Sequence, residues 1–155
     1  MKRIAYFEWL SELYGKLIYP DGEVVDLGLL STKYITDAFA EYYIDCLQGL
    51  ETGIAAFKYH DTGTGTTDEA VTQTTLITPT GMARVTGSQI EGITAKIYQS
   101  VATFTYDDDY EITEWGLFNA SSDGTLMDRA VFEAKSVEEN YQIKYTYNHT
   151  ALSGG

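Results

Sequence analysis

The sequence predicts a mainly β protein: an antiparallel β-sandwich with one α-helix packed against it and an N-terminal arm. Three observations predict it. Tyr is abundant, at 13 of 155 residues, while Pro occurs only twice, and Tyr and Thr favour a pleated, half-buried surface. Thr113-Glu114-Trp115-Gly116-Leu117-Phe118 reads as a strand, and Ser122-Asp123-Gly124 as a turn that re-enters a strand at Thr125-Leu126-Met127-Asp128-Arg129, together a hairpin. Tyr141, Ile143, Tyr145, Tyr147 and His149 alternate with Gln142, Lys144, Thr146, Asn148 and Thr150, the pattern of a strand with one face packed and one wet.

The length suits one domain. The expected division is an arm over residues 1–16 and a single β-sandwich domain over 17–155. Chains of this size bury roughly 68–70% of their unfolded surface, enough for a core without staples. A single Cys46 allows no internal disulfide and is expected as a buried thiol in a reducing compartment. The net charge is −13, from 23 acids and 10 bases. That disfavours nucleic acid, whose phosphates require clustered Lys and Arg, and anionic membrane surfaces. Glu8 and Glu12 interrupt what would otherwise be the apolar stretch of a signal peptide. No run approaches the ~18 apolar residues of a membrane span.

Taken in order, Tyr6, Phe7, Trp9, Leu10, Leu13 and Tyr14 fall partly at helical spacing and allow a short helix in the arm. These six are the expected interface residues, docking either on the domain's own core or on a neighbouring subunit. Leu17-Ile18-Tyr19, Pro20-Asp21-Gly22-Glu23 and Val24-Val25-Asp26-Leu27 read as a hairpin with a Pro-initiated turn. Ile35–Leu50 is the one strong helix. Ile35, Phe39, Tyr42, Tyr43, Cys46, Leu47 and Leu50 trace one face, Thr36 caps it, Asp37 suits its dipole, and Gly49 or Gly53 ends it. A short strand is expected over Ile54–Tyr59, a loop over Asp61–Glu69 and a strand near Met82–Thr86. Ile93–Tyr106 reads as a long strand covered on both sides, Asp107-Asp108-Asp109 as a turn, and Glu111–Phe118 with Leu126–Glu133 as the hairpin.

Each chemical constellation has a plainer alternative. Gly63-Thr64-Gly65 lacks the Lys-Ser/Thr of a phosphate loop and reads as a surface loop. Asp107, Asp108, Asp109 and Glu111 carry the hard oxygens that Ca²⁺ prefers, but without its loop spacing a solvated turn is expected. His60 precedes a hydroxyl-rich loop, leaving a Ser/Thr–His–Asp arrangement open, with no nucleophile-elbow pattern to support it. Glu114 is either half of a glycosidase carboxylate pair or, as preferred here, the cross-strand partner of Arg129. No catalytic, metal or cofactor site is expected.

The stretch Glu114-Trp115-Gly116-Leu117-Phe118, followed by Gly124, Leu126 and Arg129, resembles a motif of tailed-phage virion proteins of the tail-collar-fibre and head-decoration kind. Further segments resemble the same family: Leu27-Gly28-Leu29 through Thr36-Asp37-Ala38, Phe57-Lys58-Tyr59-His60 with Gly63-Thr64-Gly65, and Tyr145-Thr146-Tyr147. A leucine near Thr75-Leu76 and an arginine at Arg84 complete a similar layout over residues 27–155. The resemblance implies a virion structural protein and no enzyme. The expected role is a capsid decoration (cement) protein on the outer surface, homo-oligomeric and trimeric, with the major capsid protein as partner. A tail, collar or baseplate fibre or adaptor protein is the alternative. A carbohydrate-binding adhesin module using exposed Tyr and Trp is the reading from another class.

Overall fold

A computed structural model describes residues 8–33 and 35–152. They form nine strands, one helix and one 3-10 turn: β1 (Glu8–Ile18), β2 (Val24–Lys33), α1 (Asp37–Gln48), the turn Ile54–Ala56, β3 (Tyr59–Gly63), β4 (Val85–Thr86), β5 (Ser88–Glu91), β6 (Ile97–Thr105), β7 (Tyr110–Phe118), β8 (Leu126–Val137) and β9 (Gln142–Leu152). Two antiparallel sheets stack as a β-sandwich, ordered β2-β1-β9-β6-β5 and β4-β3-β7-β8. The fold class is the one the alternation and the hairpin predict.

The arm requires correction. Residues 8–16 belong to β1, which lies between β2 and β9 and pairs with β9 from Glu8↔Leu152 to Ile18↔Gln142. Its inward face carries Ser11, Leu13, Gly15 and Leu17, all buried. This is a period of two. The apolar Leu10 and the aromatic Tyr14 on the opposite face blurred that period into a helical one. Leu13 is thus core, and Leu10 and Tyr14 are partly covered on the sheet's other side. Tyr6 and Phe7 lie outside the described residues.

The turn at Pro20–Glu23 joins β1 to β2 as expected, with Gly22 at φ +90. Helix α1 starts at Thr36, whose hydroxyl accepts from Phe39 N–H at 3.1 Å and donates to Leu126 O at 2.5 Å, so the cap also ties the helix to β8. It ends at Gly49 in the left-handed region (φ +73). Its packing is narrower than the periodicity suggests. Phe39 is its one buried residue, while Ile44 and Leu47 are 48% and 68% exposed, as is Leu50 just beyond at 71%.

Other boundaries differ too. Ile54–Ala56 is a 3-10 turn, and the strand begins at Tyr59 and runs through Gly63. Residues of the expected surface loop at 61–65 are therefore largely buried. The strand expected over Ile93–Tyr106 begins at Ile97, leaving Ile93 95% exposed. The expected Met82–Thr86 strand shrinks to Val85–Thr86.

Between the sheets lie Leu13, Leu17, Phe104, Tyr106, Ile112, Trp115, Leu117, Ile143, Tyr145 and Tyr147. Trp115 meets Tyr147 with ring centroids 5.0 Å apart. Every residue of β7 from Ile112 to Phe118 is buried, which requires a cover on both faces. The second sheet provides one. A strap of chain between β3 and β4 provides the other, and Leu76 within it packs with Phe118 and Leu126 in a separate cluster.

Candidate functional site

The motif residues meet on the strap side of β7. Glu114 is fully buried and forms an ion pair with Arg129, Oε2 to Nε at 2.8 Å. The pairing is diagonal, since Glu114 sits opposite Val131 and Arg129 opposite Gly116. The strap then closes on the carboxylate. Gly65 and Thr78 donate backbone N–H groups to Oε1 at 3.1 and 2.7 Å, and Ile77 donates to Oε2 at 3.0 Å. Arg129 reaches onward to Thr67 O and Gln73 Oε1, each at 2.9 Å. Charge-assisted bonds of this kind are short and roughly twice as strong as neutral ones.

Gly63-Thr64-Gly65 is thus no phosphate loop and no plain surface loop. A Cβ on Gly65 would lie 2.6 Å from Glu114 Oε1, and one on Gly63 2.5 Å from the same atom and against Thr78 O. Two glycines are needed because backbone must approach a carboxylate. Arg84 completes the layer. Its guanidinium lies 3.5 Å over the Phe118 ring, bonds Asp61 at 3.2 Å, and donates to Ala120 O and Asp123 O in the hairpin turn. Glu114, Gly116, Phe118, Leu126, Arg129, Gly63, Gly65, Leu76 and Arg84 form one interlocked unit, although they span more than sixty positions of sequence.

On the other face of β7, Trp115 Nε1–H donates to His60 Nδ1 at 3.1 Å, and His60 Nε2 lies 2.7 Å from Ser100 Oγ. Because Nδ1 accepts, Nε2 carries the proton and donates to the serine. A general base would need that nitrogen free to accept the hydroxyl proton. Burial pushes the His60 pKa down to about 3. The open Ser–His arrangement is therefore closed by tautomer, burial and the replacement of a carboxylate orienter by an indole.

A third group joins both sheets. Tyr147 O–H donates to Asp128 Oδ2 at 3.1 Å, Ser11 Oγ lies 3.0 Å from Tyr147 Oη, and His149 Nδ1 is 3.3 Å from Ser11 Oγ. Asp128 is 3% exposed, and its Oδ1 has no partner. Burial raises its pKa to about 7, only partly offset by the hydroxyls of Ser11 and Tyr147. A cavity of about 10 Å³ adjoins Ser11, Asp128 and Tyr147, close to the lower limit for one water.

One accessible feature is an apolar cleft of about 370 Å³ where α1 and the 3-10 turn lie over one end of the sandwich. Trp9, Phe39, Tyr43, Phe57, Tyr98 and His149 supply its rings. Trp9 contacts Tyr43 and His149 edge-on at 4.9 and 5.4 Å. Its polar groups turn to the protein itself: Tyr98 O–H donates to Phe57 O, and Gln89 to Ala55 O and Tyr98 Oη. Sequence reasoning grouped Trp9 with an interface but missed the cleft, whose lining comes from seven separated segments.

Asp107, Asp108 and Asp109 occupy an exposed turn in which Asp107 accepts from Tyr110 O–H and Asp108 from Asp109 N–H. Among the described residues, no group of three or more His, Cys, Asp or Glu is placed to hold a metal, and no helix is long and apolar enough to cross a membrane. No family model, no curated protein and no solved structure matches the chain.

Proposed function

We propose that this protein is a structural component of a tailed-phage virion, most simply a capsid decoration protein that works as an oligomer and performs no chemistry. One observation carries the reading. Part of the residues behind the virion-protein resemblance, Gly63, Gly65, Leu76, Arg84, Glu114, Gly116, Phe118, Leu126 and Arg129, meets in a single buried unit whose hydrogen bonds are spent on holding a strap against a hairpin. A motif of that kind serves a scaffold. The buried imidazole of His60 and the Glu114–Arg129 pair, the groups best suited to reactivity, are enclosed in it or directly beneath it.

The surface supports assembly. Ile44, Leu47, Leu50 and Ile54 each expose an apolar side chain along α1 and the segment after it, the kind of surface an interaction site uses when such groups adjoin. The net charge of −13 suits the solvent side of a particle that packages DNA. A trimer is the proposed oligomer and the major capsid protein the proposed partner. The tail, collar or baseplate adaptor is the second reading, because the same motif resemblance extends to fibre bases. Quantitative gel densitometry of purified virions against the major capsid protein tests both. Hundreds of copies per particle are expected for decoration. A handful to a few dozen would replace it by the adaptor, and absence from particles would overturn the virion reading.

A further inference from the structure

We propose that the apolar cleft binds a small aromatic molecule, and that one proton on Asp128 decides whether His149 accepts a hydrogen bond from that molecule or donates one to it. The cleft holds about 370 Å³ and is lined by the rings of Trp9, Phe39, Tyr43, Phe57 and Tyr98. That size and composition suit a flat, mostly apolar ligand fixed by a few polar contacts. His149 is part of the same lining. Its Nδ1 lies 3.3 Å from Ser11 Oγ, and no hydrogen bond engages its Nε2 among the described residues. From Ser11 the contacts run inward. Ser11 Oγ lies 3.0 Å from Tyr147 Oη, which lies 3.1 Å from Asp128 Oδ2. A continuous chain of hydrogen bonds therefore joins the accessible cleft to a carboxyl enclosed between the sheets.

Counting protons fixes the direction of the chain, because each hydrogen bond needs one. An ionised Asp128 only accepts, so Tyr147 donates to it and Ser11 sends its own proton the same way. Ser11 Oγ is left to accept, so His149 carries its proton on Nδ1 and turns Nε2 to the cleft as an acceptor. A protonated Asp128 adds one proton. On Oδ1 that proton would meet no partner, and an unpaired buried donor is costly. On Oδ2 it donates to Tyr147, Tyr147 to Ser11 and Ser11 to His149 Nδ1, so the imidazole holds its proton on Nε2 and offers the cleft a donor. The change runs as a relay. Nε2 takes a proton from solvent in the cleft, Nδ1 passes one to Ser11, Ser11 one to Tyr147 and Tyr147 one to Asp128 Oδ2. One proton enters the protein, and the imidazole is neutral before and after. Burial, with the charge of Glu69 adding to it, raises Asp128 to about 7, while burial lowers His149 to about 4. The switch therefore falls where the imidazole itself stays uncharged. Asp128 faces Glu12 on β1, Glu69 on the strap and Tyr147 on β9, while β2 and β7 present the uncharged Ser31 and Trp115. Arg129, its neighbour in β8, is paired with Glu114 on the opposite face. Tyr43 and Tyr98 share the cleft with His149.

The test uses the full chain labelled with ¹⁵N, in which the two histidines report their tautomers by NMR. His149 should carry its proton on Nδ1 at about pH 8.5 and on Nε2 at about pH 5.5, on either side of the Asp128 value of about 7. His60, held by Trp115, should keep one tautomer throughout. The ligand probes are indole, which only donates, and 1-indanone, which only accepts; both are neutral over this range. Indole should bind several-fold more tightly at the higher pH and 1-indanone at the lower, with shift changes at Ala55 and Ala151 placing both in the cleft. Ser11→Ala interrupts the chain and should remove both pH preferences while binding persists. A single His149 tautomer at both pH values would place the Asp128 proton on Oδ1 and overturn the proposal, whether or not Ser11→Ala folds. Failure of both probes to bind, binding without a pH preference, or preferences that survive in Ser11→Ala would each overturn it as well. The inference does not rest on the virion reading, and a virion copy number of any size leaves these outcomes unchanged.

Discussion

Glu114 and Asp128 are buried carboxylates on opposite faces of the same β7–β8 hairpin, and the protein treats them in opposite ways. Glu114 receives three backbone N–H groups and a guanidinium. Asp128 meets the hydroxyls of Tyr147 and Ser11 and no cation, and leaves Oδ1 bare. The first is surrounded by a strap that can bring its backbone close because Gly63 and Gly65 lack side chains. The second lies between two regular sheets whose backbone groups are already paired with each other. A strap has N–H groups to spare for an anion, and a sheet interior does not. The comparison also separates the possible reasons for a buried charge. Glu114 organises chain that has no ladder of its own, whereas Asp128 links the sheets through Tyr147 and Ser11 at a cost set by pH.

The strongest way to break this comparison is Glu114→Gln. It strands the Arg129 guanidinium in a site with 1% exposure, and removing one member of a buried pair costs ~3–5 kcal/mol. Urea unfolding should show that loss; a midpoint unchanged from the wild type would mean that the pair is not what anchors the strap. Trp115→Ala, on the Asp128 side, is expected to cost a similar ~3–5 kcal/mol through the cavity left beside Tyr147, so that one strand is equally intolerant on both faces. Gly65→Ala sharpens the contrast without touching a charge. Its Cβ would press on Glu114, and overpacking of this kind costs ~1–3 kcal/mol.

Asp128→Asn should act in the opposite direction and depend on pH. The folded pKa of about 7 stands above the ordinary 3.8, so the folded state holds this proton more tightly than the unfolded chain. The stability it contributes is full below about pH 4 and is lost as pH rises through 7. His60 and His149 do the reverse: their folded values of about 3 and 4 lie below 6.5, so their contribution is present above pH 6.5 and falls away in acid. In the wild type the slopes oppose one another between pH 4 and 6.5. In Asp128→Asn the Asp128 part of that opposition is gone, so stability should rise more steeply with pH between 4 and 6.5 than in the wild type, with a gain over wild type at pH 8. Denaturation series at several pH values measure this, and parallel curves for the two proteins would refute the assignment. The smallest expected effect is Thr36→Ala, a loss of ~1 kcal/mol through the helix cap, readable as a lower thermal midpoint.

Much of the fold was legible in the residues. The alternation of Tyr141–Thr150, the Pro20–Glu23 turn, the Thr36 cap and Gly49 stop of α1, and the Glu114–Arg129 pairing are each written in a few neighbouring positions. Trp115 and Phe118 lie on opposite faces of β7 and both are buried. The cover over Phe118 comes from Leu76 and Arg84, which lie far from it in the sequence. The strand β1 was hidden because its outer face also carries Leu10 and Tyr14. The helix face was overread because periodicity reports which side is apolar, not whether anything lies opposite Leu47.

What the sequence determined alone is therefore local: strand alternation, turn chemistry, caps, net charge and the pairing of one hairpin. These depend on steric and hydrogen-bond rules acting within about ten residues. Tertiary structure decided the rest. It turned Gly63-Thr64-Gly65 from a loop into a cradle, fixed the His60 tautomer through Trp115, left Asp128 without a cation and opened the cleft at Trp9. Each of these depends on which distant backbone or ring arrives within about 3–5 Å, and neither burial nor the partner of a buried proton is encoded in a residue's immediate neighbours.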